Sequence, residues 1–487
     1  MSEERNDLFA VRQGKLDSLA ALGVAPFGKR FENTITSGVI LDEFEEGRAV
    51  RFAGRILTHR KMGKSQFLHL GDEDGRLQIY LRKDEIAEQE LEAFKLVDLG
   101  DFVGVSGTCF LTKTGEKTIH VKTFTFLSKA LRPLPEKWHG LSDVEQRYRQ
   151  RYLDLVSNEN TRDVLTTRCR MVSEIRHYLE DRGYLEVETP MMQAIPGGAA
   201  ATPFTTHHNA LDMDLYLRIA PELYLKRLLV GGYNRVFELN RNFRNEGLSR
   251  KHNPEFTMLE LYEAYSDYEG MADLVEGLIV HLAEKFCGGT MITHQLGEGD
   301  NVGKVSINLQ RPWKRKTYHD CIKEAAGADW FDLTPEQRRE KAEKEFGLEI
   351  LPQLEDFEVS NQVFEKLVEA KTMDPLFVTH LPKELVPLAK QNEDNPDLVD
   401  VYELIINGQE ISPGYSELND PLVQRERLEA QAGEEVQKMD EDFLTAMEHG
   451  MPPAGGMGMG IDRLVMMLTG AESIRDVIFF PLMKPRA

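Results

Sequence analysis

Between positions 50 and 126 the chain carries five short runs of alternating apolar and polar residues, a pattern that restricts its fold more than any other. The runs are 50–57, 66–71, 77–81, 102–110 and 118–126. Period-two alternation marks strands with one buried face. Turn-forming residues such as Thr114-Gly115 separate them, and a helix-prone stretch, 84–95, follows the third. Three strands, a helix and two more strands suit a small Greek-key barrel. Such barrels can hold a nucleic-acid strand by stacking bases on aromatics in a basic groove. Here Arg60, Lys61, Lys64, Phe67 and Gln78 supply the candidate groove. A purely structural barrel with a solvated basic loop accounts for the same residues equally well.

Ahead of the barrel, Leu8, Val11, Leu19 and Leu22 fall near helical spacing, closed by Gly23 and Pro26. After it, Leu131-Arg132-Pro133-Leu134-Pro135 reads as a linker. A larger α/β region follows. It is predicted to hold a helix over 168–182 ended by Gly183, and a helix over 222–230 opened by Pro221. A third helix starts at a capping box of Ser266 and Glu269. Residues 301–351 carry no clear pattern. At ~150 residues per domain the length suggests about three domains.

No apolar run approaches the ~20 residues of a bilayer helix. Met1-Ser2-Glu3-Glu4-Arg5 shows no basic region leading into an apolar one, so no secretory signal is read. Four scattered cysteines without a C-x-x-C pair argue against a zinc ribbon or disulfide framework. A cytoplasmic location is expected. The 81 acidic against 59 basic residues, a net charge of -22, oppose a nucleic-acid partner unless local basic surface holds it. Gly63-Lys64-Ser65 lacks the first glycine of a phosphate loop, because position 58 is Thr58.

Three features carry chemistry instead. Strand-like runs 235–240 and 256–263 flank a loop with Arg241, Arg244, Glu246, Arg250, Lys251 and His252. Period two puts Phe256, Met258, Glu260 and Tyr262 on one face. A carboxylate and a phenol make that face a poor dry core but a good floor for a polar pocket, and the cationic loop could hold phosphates. A solvated hairpin explains the spacing as well. Second, Asn407-Gly408 between strand-like runs is a strong hairpin signal. It sets Ile406 against Gln409 and Ile405 against Glu410. Glu403 and Glu410 then share a face as diagonal neighbours, roughly 7–8 Å apart at the backbone. They repel unless a cation lies between them, and magnesium takes one or two carboxylates plus substrate phosphates. Two solvated glutamates on an exposed sheet are the alternative. Third, the glycines at 455, 456, 458 and 460 lead into Ile461-Asp462-Arg463 and an apolar helical run. Glycines let a ligand approach closely and the helix start favours anions. A tight helix–sheet contact with a surface arginine would look the same.

Together these features resemble the signature motifs of class II aminoacyl-tRNA synthetases, and in particular the class II lysyl-tRNA synthetases. Phe243-Arg244-Asn245-Glu246-Gly247 with His252-Asn253-Pro254-Glu255-Phe256-Thr257 looks like motif 2. Gly458-Met459-Gly460-Ile461-Asp462-Arg463 looks like motif 3, and residues 186–193 with Ile195-Pro196-Gly197-Gly198-Ala199 look like motif 1 and its sequel. Residues 146–155 and 415–420 add agreement. The resemblance runs from about Val50 to Pro485 and is weak around 290–350. It implies an α+β chain: a helical segment at 1–35, an OB-fold anticodon-binding β-barrel at 36–130, a linker at 131–140, and a class II synthetase catalytic domain at 141–487 with an antiparallel sheet flanked by helices.

The resemblance also implies roles. Arg244 would bind the ATP α-phosphate and the lysine carboxylate and, with Arg463, serve catalysis. Phe256 and Arg463 would sandwich the adenine, and Glu246, His252 and Asn253 would line the rest of the nucleotide site. Glu403 and Glu410 would hold Mg2+ with the ATP. Gly198 and Glu222 would meet the lysine α-ammonium, Tyr262 and Glu417 its ε-ammonium, with Glu260 and Tyr415 completing that site. Arg60, Phe67 and Gln78 would read the anticodon. The implied partners are L-lysine, ATP, tRNA(Lys) and a second copy of the chain as a homodimer, with no membrane. Contacts to tRNA are expected at Arg60, Lys61 and Lys64 and at Arg147, Arg149 and Arg151. Arg5, Arg12 and Lys15 of the first helix either touch tRNA or only pack.

Two positions depart from the family. Pro413 stands where an asparagine usually contacts substrate, so one hydrogen bond is in doubt. Ala454-Gly455 replaces Thr-Ala or Ser-Ala, which removes a hydroxyl and predicts a slightly roomier pocket. Three rival readings exist: a paralogue that transfers an amino acid to protein, a non-enzymatic nucleic-acid binder built on the barrel, and an aspartyl- or asparaginyl-type relative. The first generally lacks the barrel. The second would not need Arg244, Glu246, Glu403, Glu410 and Arg463 together. The third would want a cation where Glu417 stands.

Overall fold

The computed structural model describes residues 2–32, 35–135, 141, 143–199, 201–296, 303–386, 389–432 and 439–485. The chain forms two compact units, Met1–Ser142 and Asp143–Ala487, rather than three. The linker positions 136–140 lie outside the described residues.

The first unit is a closed barrel of β1 (Ala49–Met62), β2 (Ser65–Gly71), β3 (Arg76–Arg82), β4 (Phe102–Leu111) and β5 (Lys117–Ser128), in the order β1-β2-β3-β5-β4. Alternate residues such as Phe52, Leu68, Leu70, Ile79, Val103 and Val121 fill it. Helix α1 (Ser2–Ala21) leaves Leu8 and Val11 exposed, and of its apolar residues Leu19 alone is fully buried. Cationic side chains fasten this helix. Arg12 donates to the carbonyls of Ala130 and Arg132, and Lys15 pairs with Asp98 at 2.6 Å. Arg12 and Lys15 are therefore structural anchors rather than free RNA contacts; the Arg5 side chain lies outside the described residues.

The second unit is organised by an eight-stranded sheet. Its strands in chain order are β6 (Leu185–Glu186), β7 (Arg235–Phe243), β8 (Glu255–Ala264), β9 (Lys314–Thr317), β10 (Leu376–Thr379), β11 (Val401–Ile406), β12 (Gln409–Ser416) and β13 (Ala454–Gly460). The spatial order is β9-β10-β11-β12-β13-β8-β7-β6, antiparallel except for the outer pairs β9/β10 and β6/β7. One face packs on α2 (Glu159–Glu180), α3 (Tyr268–Phe286) and α4 (Ile461–Thr469), burying Leu259, Leu261, Met457, Met459, Ile279 and Leu464 among others. Helix α2 starts nine residues earlier than expected. The cap of α3 is Asp267, whose side chain accepts from Gly270 N, and not Ser266.

The arginines near 150 are spent internally. Arg151 is buried and donates to Asp154 and to the carbonyls of Arg475, Ile478 and Phe479. Arg147 bonds Asp154 and Thr161, and Arg149 bonds Glu145 and the Lys484 carbonyl. The expectation that this stretch meets tRNA is corrected at Arg151, which cannot leave a carboxylate and three carbonyls behind without a large desolvation cost. Arg151→Met would leave Asp154 Oδ2 and three carbonyls without their donor, although Arg147 still pairs with Oδ1, and would destabilise the second unit by about 1–3 kcal/mol. Urea unfolding measures this, and a loss under about 1 kcal/mol would contradict the assignment.

Candidate active site

The other face of this sheet borders a cavity of about 630 Å³. Its floor follows from period two. On β8 the residues Phe256, Met258, Glu260 and Tyr262 point into it. The neighbouring β13 reads Gly456-Met457-Gly458-Met459-Gly460, and register sets Gly460, Gly458 and Gly456 beside Met258, Glu260 and Tyr262. The methionines face the core and the glycines the cavity side. The glycine run is thus a strand with one bare face, not a loop. A methyl on Gly456 would overlap Glu417 Oε1 and the Tyr262 ring, and one on Gly458 would reach Met258 Cε at 2.5 Å. Gly456→Ala is expected to cost about 1–3 kcal/mol by overpacking; an unchanged thermal midpoint would contradict this.

The hairpin at Asn407-Gly408 forms as expected, with both residues at positive φ. Ile405 faces Glu410 and Ile406 faces Gln409. A bulge then intervenes: Leu404 pairs with Ser412, leaving Ile411 extra. The extra residue shifts the parity of β12, so Glu410, Pro413 and Tyr415 all reach the cavity. Pro413 sits opposite Glu403 just past the bulge, where pairing with β13 has not begun. The carbonyl of Gly458 is satisfied instead by the Ser412 hydroxyl at 2.6 Å.

Electrostatics divide the cavity. At one end the Arg244 guanidinium lies over the Phe256 ring at 5.2 Å, with its buried Nε unpartnered. Arg463 donates to the Glu410 carbonyl and to His252 Nε2 at 2.9 Å. Arginine only donates, so Nε2 accepts and the His252 proton sits on Nδ1, facing the Ser249 hydroxyl. Burial and the Arg463 charge accordingly lower the His252 pKa. Asn253 donates to the Glu255 carbonyl and leaves Oδ1 buried without a partner. Glu246 is exposed at the rim.

Glu410 also lines the cavity, whereas Glu403 lies on the same sheet face outside its lining. Burial, then the charges of Glu410, Glu369 and Glu365, push Glu403 well above the usual carboxylate range. Burial raises Glu410 while Arg463 opposes. Among the described residues, no group of three or more His, Cys, Asp or Glu side chains is arranged as a metal site. Two half-buried carboxylates on one sheet face, both held above the usual carboxylate range, suit a hard divalent cation that completes its shell with phosphate oxygens and water. Glu365 and Glu369 were not anticipated, because their neighbourhood with Glu403 is made by tertiary contacts.

At the opposite end, burial pushes Glu260 up to about 8, helped by the Glu222 charge and opposed by Arg244. Gly198, at φ +84, packs against Glu222 so closely that a Cβ there would lie 2.9 Å from Glu222 Cβ. Glu417 lies behind the cavity wall, 2% exposed. Its Oε2 pairs with Lys226 at 2.6 Å, and Lys226 also pairs with Glu222 at 2.7 Å. Lys226 escaped the sequence reading, although its i,i+4 spacing from Glu222 beside buried Leu225 and Leu229 was visible. Ala454 and Gly455 do not line the cavity, so the expected extra room is absent; a Cβ on Gly455 would press on the Asp267 backbone.

In the barrel, Arg60 pairs across strands with Phe67, and Phe67 with Tyr80. Phe67, Tyr80, Phe110 and His120 form a chain of ring contacts at 4.9 to 5.8 Å. The last three were missed. Gln78 is nearly buried, and its Oε1 accepts from Thr118. Lys64 leans toward Asp84, whereas Arg60 and Lys61 form no ion pair among the described residues.

Comparison with known proteins agrees with this geometry. Residues 143–484 match the family of class II tRNA synthetases (D, K and N), and residues 50–127 match the OB-fold nucleic acid binding domain. The chain is 53% identical to the lysine--tRNA ligase of Carboxydothermus hydrogenoformans, over 99% of each chain. It is 52% identical to that of Pelotomaculum thermopropionicum, over 99% of this chain and 96% of the relative. It is 51% identical to that of Bacillus cereus strain B4264, over 99% and 98%. A charge-divided cavity on an antiparallel sheet, an OB-fold barrel and full-length similarity lead to one conclusion: the chain belongs to the class II tRNA synthetases of the D, K and N group, within the lysine--tRNA ligase family.

Proposed function

We propose that this chain is a lysine--tRNA ligase that joins L-lysine to ATP, giving lysyl-adenylate and pyrophosphate, and then passes the lysyl group to tRNA(Lys). The observation that carries this reading is the division of one cavity into an arginine end and a glutamate end. Arg244, with its unpartnered buried Nε, and Arg463 suit a triphosphate. Phe256 and Arg463 suit the adenine, and Glu246, His252 and Asn253 the rest of the nucleotide. Glu403 and Glu410 would hold Mg2+, which supplies charge neutralisation at the phosphates.

The chemistry asks little proton transfer of the protein. The lysine carboxylate is ionised at neutral pH. Its oxygen attacks the α-phosphorus, the bond to the β-phosphate oxygen breaks, and pyrophosphate leaves. Arg244 positions both reactants and opposes the charge that develops. The terminal ribose hydroxyl of tRNA then attacks the adenylate carbonyl and loses its proton to water, and AMP leaves with the bonding pair. At the glutamate end, Gly198 and Glu222 would receive the α-ammonium. Glu260, Tyr262, Tyr415 and Glu417 would enclose the side chain and its ε-ammonium.

A neutral or acidic side chain would leave these buried carboxylates unanswered. Such a mismatch can discriminate by about 10⁴–10⁵. The barrel would read the anticodon on the Arg60–Phe67–Tyr80 face, which answers the acidic net charge with local cations. We also infer a homodimer and a cytoplasmic location. Among the described residues no helix is long and apolar enough to cross a membrane.

ATP–pyrophosphate exchange with each amino acid, followed by charging of total tRNA, tests the reading. Lysine alone should support exchange; exchange with aspartate or asparagine, or none, would refute it. Glu417→Gln should abolish lysine binding while ATP binding persists, as separate calorimetric titrations would show; unchanged lysine affinity contradicts the assignment. Replacing Arg60 and Lys61 by alanine should weaken tRNA binding and lower its log–log salt slope by about 1–2. An unaltered slope would place the contacts elsewhere.

A further inference from the structure

We propose that Lys226 is the fixed counter-ion of the amino-acid end: by bridging Glu222 and Glu417 it keeps Glu417 a carboxylate, with one oxygen left for the substrate's terminal ammonium. The inference rests on the lysine-ligase reading and deepens it, because it names a residue that tunes recognition without touching substrate.

The geometry is specific. Lys226 is 1% exposed, and its Nζ spends one oxygen of each glutamate, Glu222 Oε1 and Glu417 Oε2. Glu417 Oε1 is left buried with no hydrogen-bond partner. It lies against Gly456, where any side chain would collide with it. A buried acceptor that makes no bond is costly, and its presence marks a place reserved for a donor.

The groups that face Glu417 are few. Helix 222–230 presents Lys226 and Glu222, β8 presents Tyr262, and β12 presents Tyr415. From β13 comes only Gly456, and the bridged segment presents Ala389. Both tyrosines are raised by burial and stay neutral. Among the described residues, Lys226 is therefore the one cation in the group. Burial favours the neutral acid and brings Glu417 up to about 7 despite Lys226. Burial also works against the Lys226 charge, but the two glutamates outweigh it and hold its pKa above the ordinary lysine value. Removing Lys226 would take away the attraction and leave the burial and the Glu222 repulsion, so Glu417 would be neutral at pH 7 and a poor partner for an ammonium.

The test is the pH profile of kcat/KM for lysine in ATP–pyrophosphate exchange, which reports the free enzyme. In the parent it should rise between about pH 6 and 9 with an inflection near 7, as Glu417 ionises. Lys226→Met should move the inflection up by about one unit or more, and raise the lysine KM at pH 7 by about tenfold or more. KM for ATP should stay within about twofold. Lys226→Arg should restore the parental inflection. Glu222→Gln should move the inflection the opposite way, downward, because it removes the repulsion and leaves Lys226 to Glu417 alone. The proposal is overturned if Lys226→Met keeps the parental inflection, or if it loses ATP and lysine equally at every pH, as a purely structural residue would. Should Lys226→Met not fold, the Glu222→Gln inflection decides, and an unmoved or upward shift overturns the proposal. No lysine-dependent exchange in the parent would instead refute the synthetase reading itself.

Discussion

Burying carboxylates beside a sheet is expensive, and this molecule buries several where the second unit meets its cavity. Burial and Glu410 push Glu403 up, burial raises Glu410 and Glu260, and Lys226 opposes the burial that raises Glu417. A fold tolerates such groups only if cations answer them. Two of those cations belong to the protein at the phosphate end, Arg244 and Arg463. Lys226 is a third, between Glu222 and Glu417; on the function proposed above, a metal with the nucleotide and an ammonium of the amino acid would supply the rest. The bare glycine face of β13 and the bulge at Ile411 make room for this arrangement, since both bring acidic side chains to one surface without steric cost.

Much of this was legible in the residue order. Period two assigned Phe256, Met258, Glu260 and Tyr262 to one face, and that face is the cavity floor. Asn407-Gly408 gave the turn and hence the shared face of Glu403 and Glu410. The five alternating runs of the barrel and the helix after its third strand also appear as expected.

What escaped depends on partners far away in sequence. A bulge is defined by pairing, so Ile411 carries no local mark of it. Glycines alternating with methionines were read for ligand approach and a helix start, and their place in a strand shows only once Met457 and Met459 are seen in the core. Arg147, Arg149 and Arg151 looked like surface cations, and Lys226 drew no reading, because a lone basic residue on a helix is usually solvated. Each is tied instead to carboxylates or carbonyls of other segments. The same error in sign explains the first helix, where Arg12 and Lys15 fasten it to the barrel. The net charge of -22 is thus borne with fewer free cations than the composition suggests, and the Arg60–Lys61 edge beside the aromatic chain stands out as the available basic surface.

The account's central claim is that one cavity takes a triphosphate at its arginine end and an ammonium at its glutamate end. A crystal structure with L-lysine and a non-hydrolysable ATP analogue tests it most directly. The account predicts phosphate oxygens bonded to Arg244, and the side-chain ammonium of lysine hydrogen-bonded to the free oxygen of Glu417. Lysine bound with its ammonium toward Arg463, or outside the cavity, would contradict it.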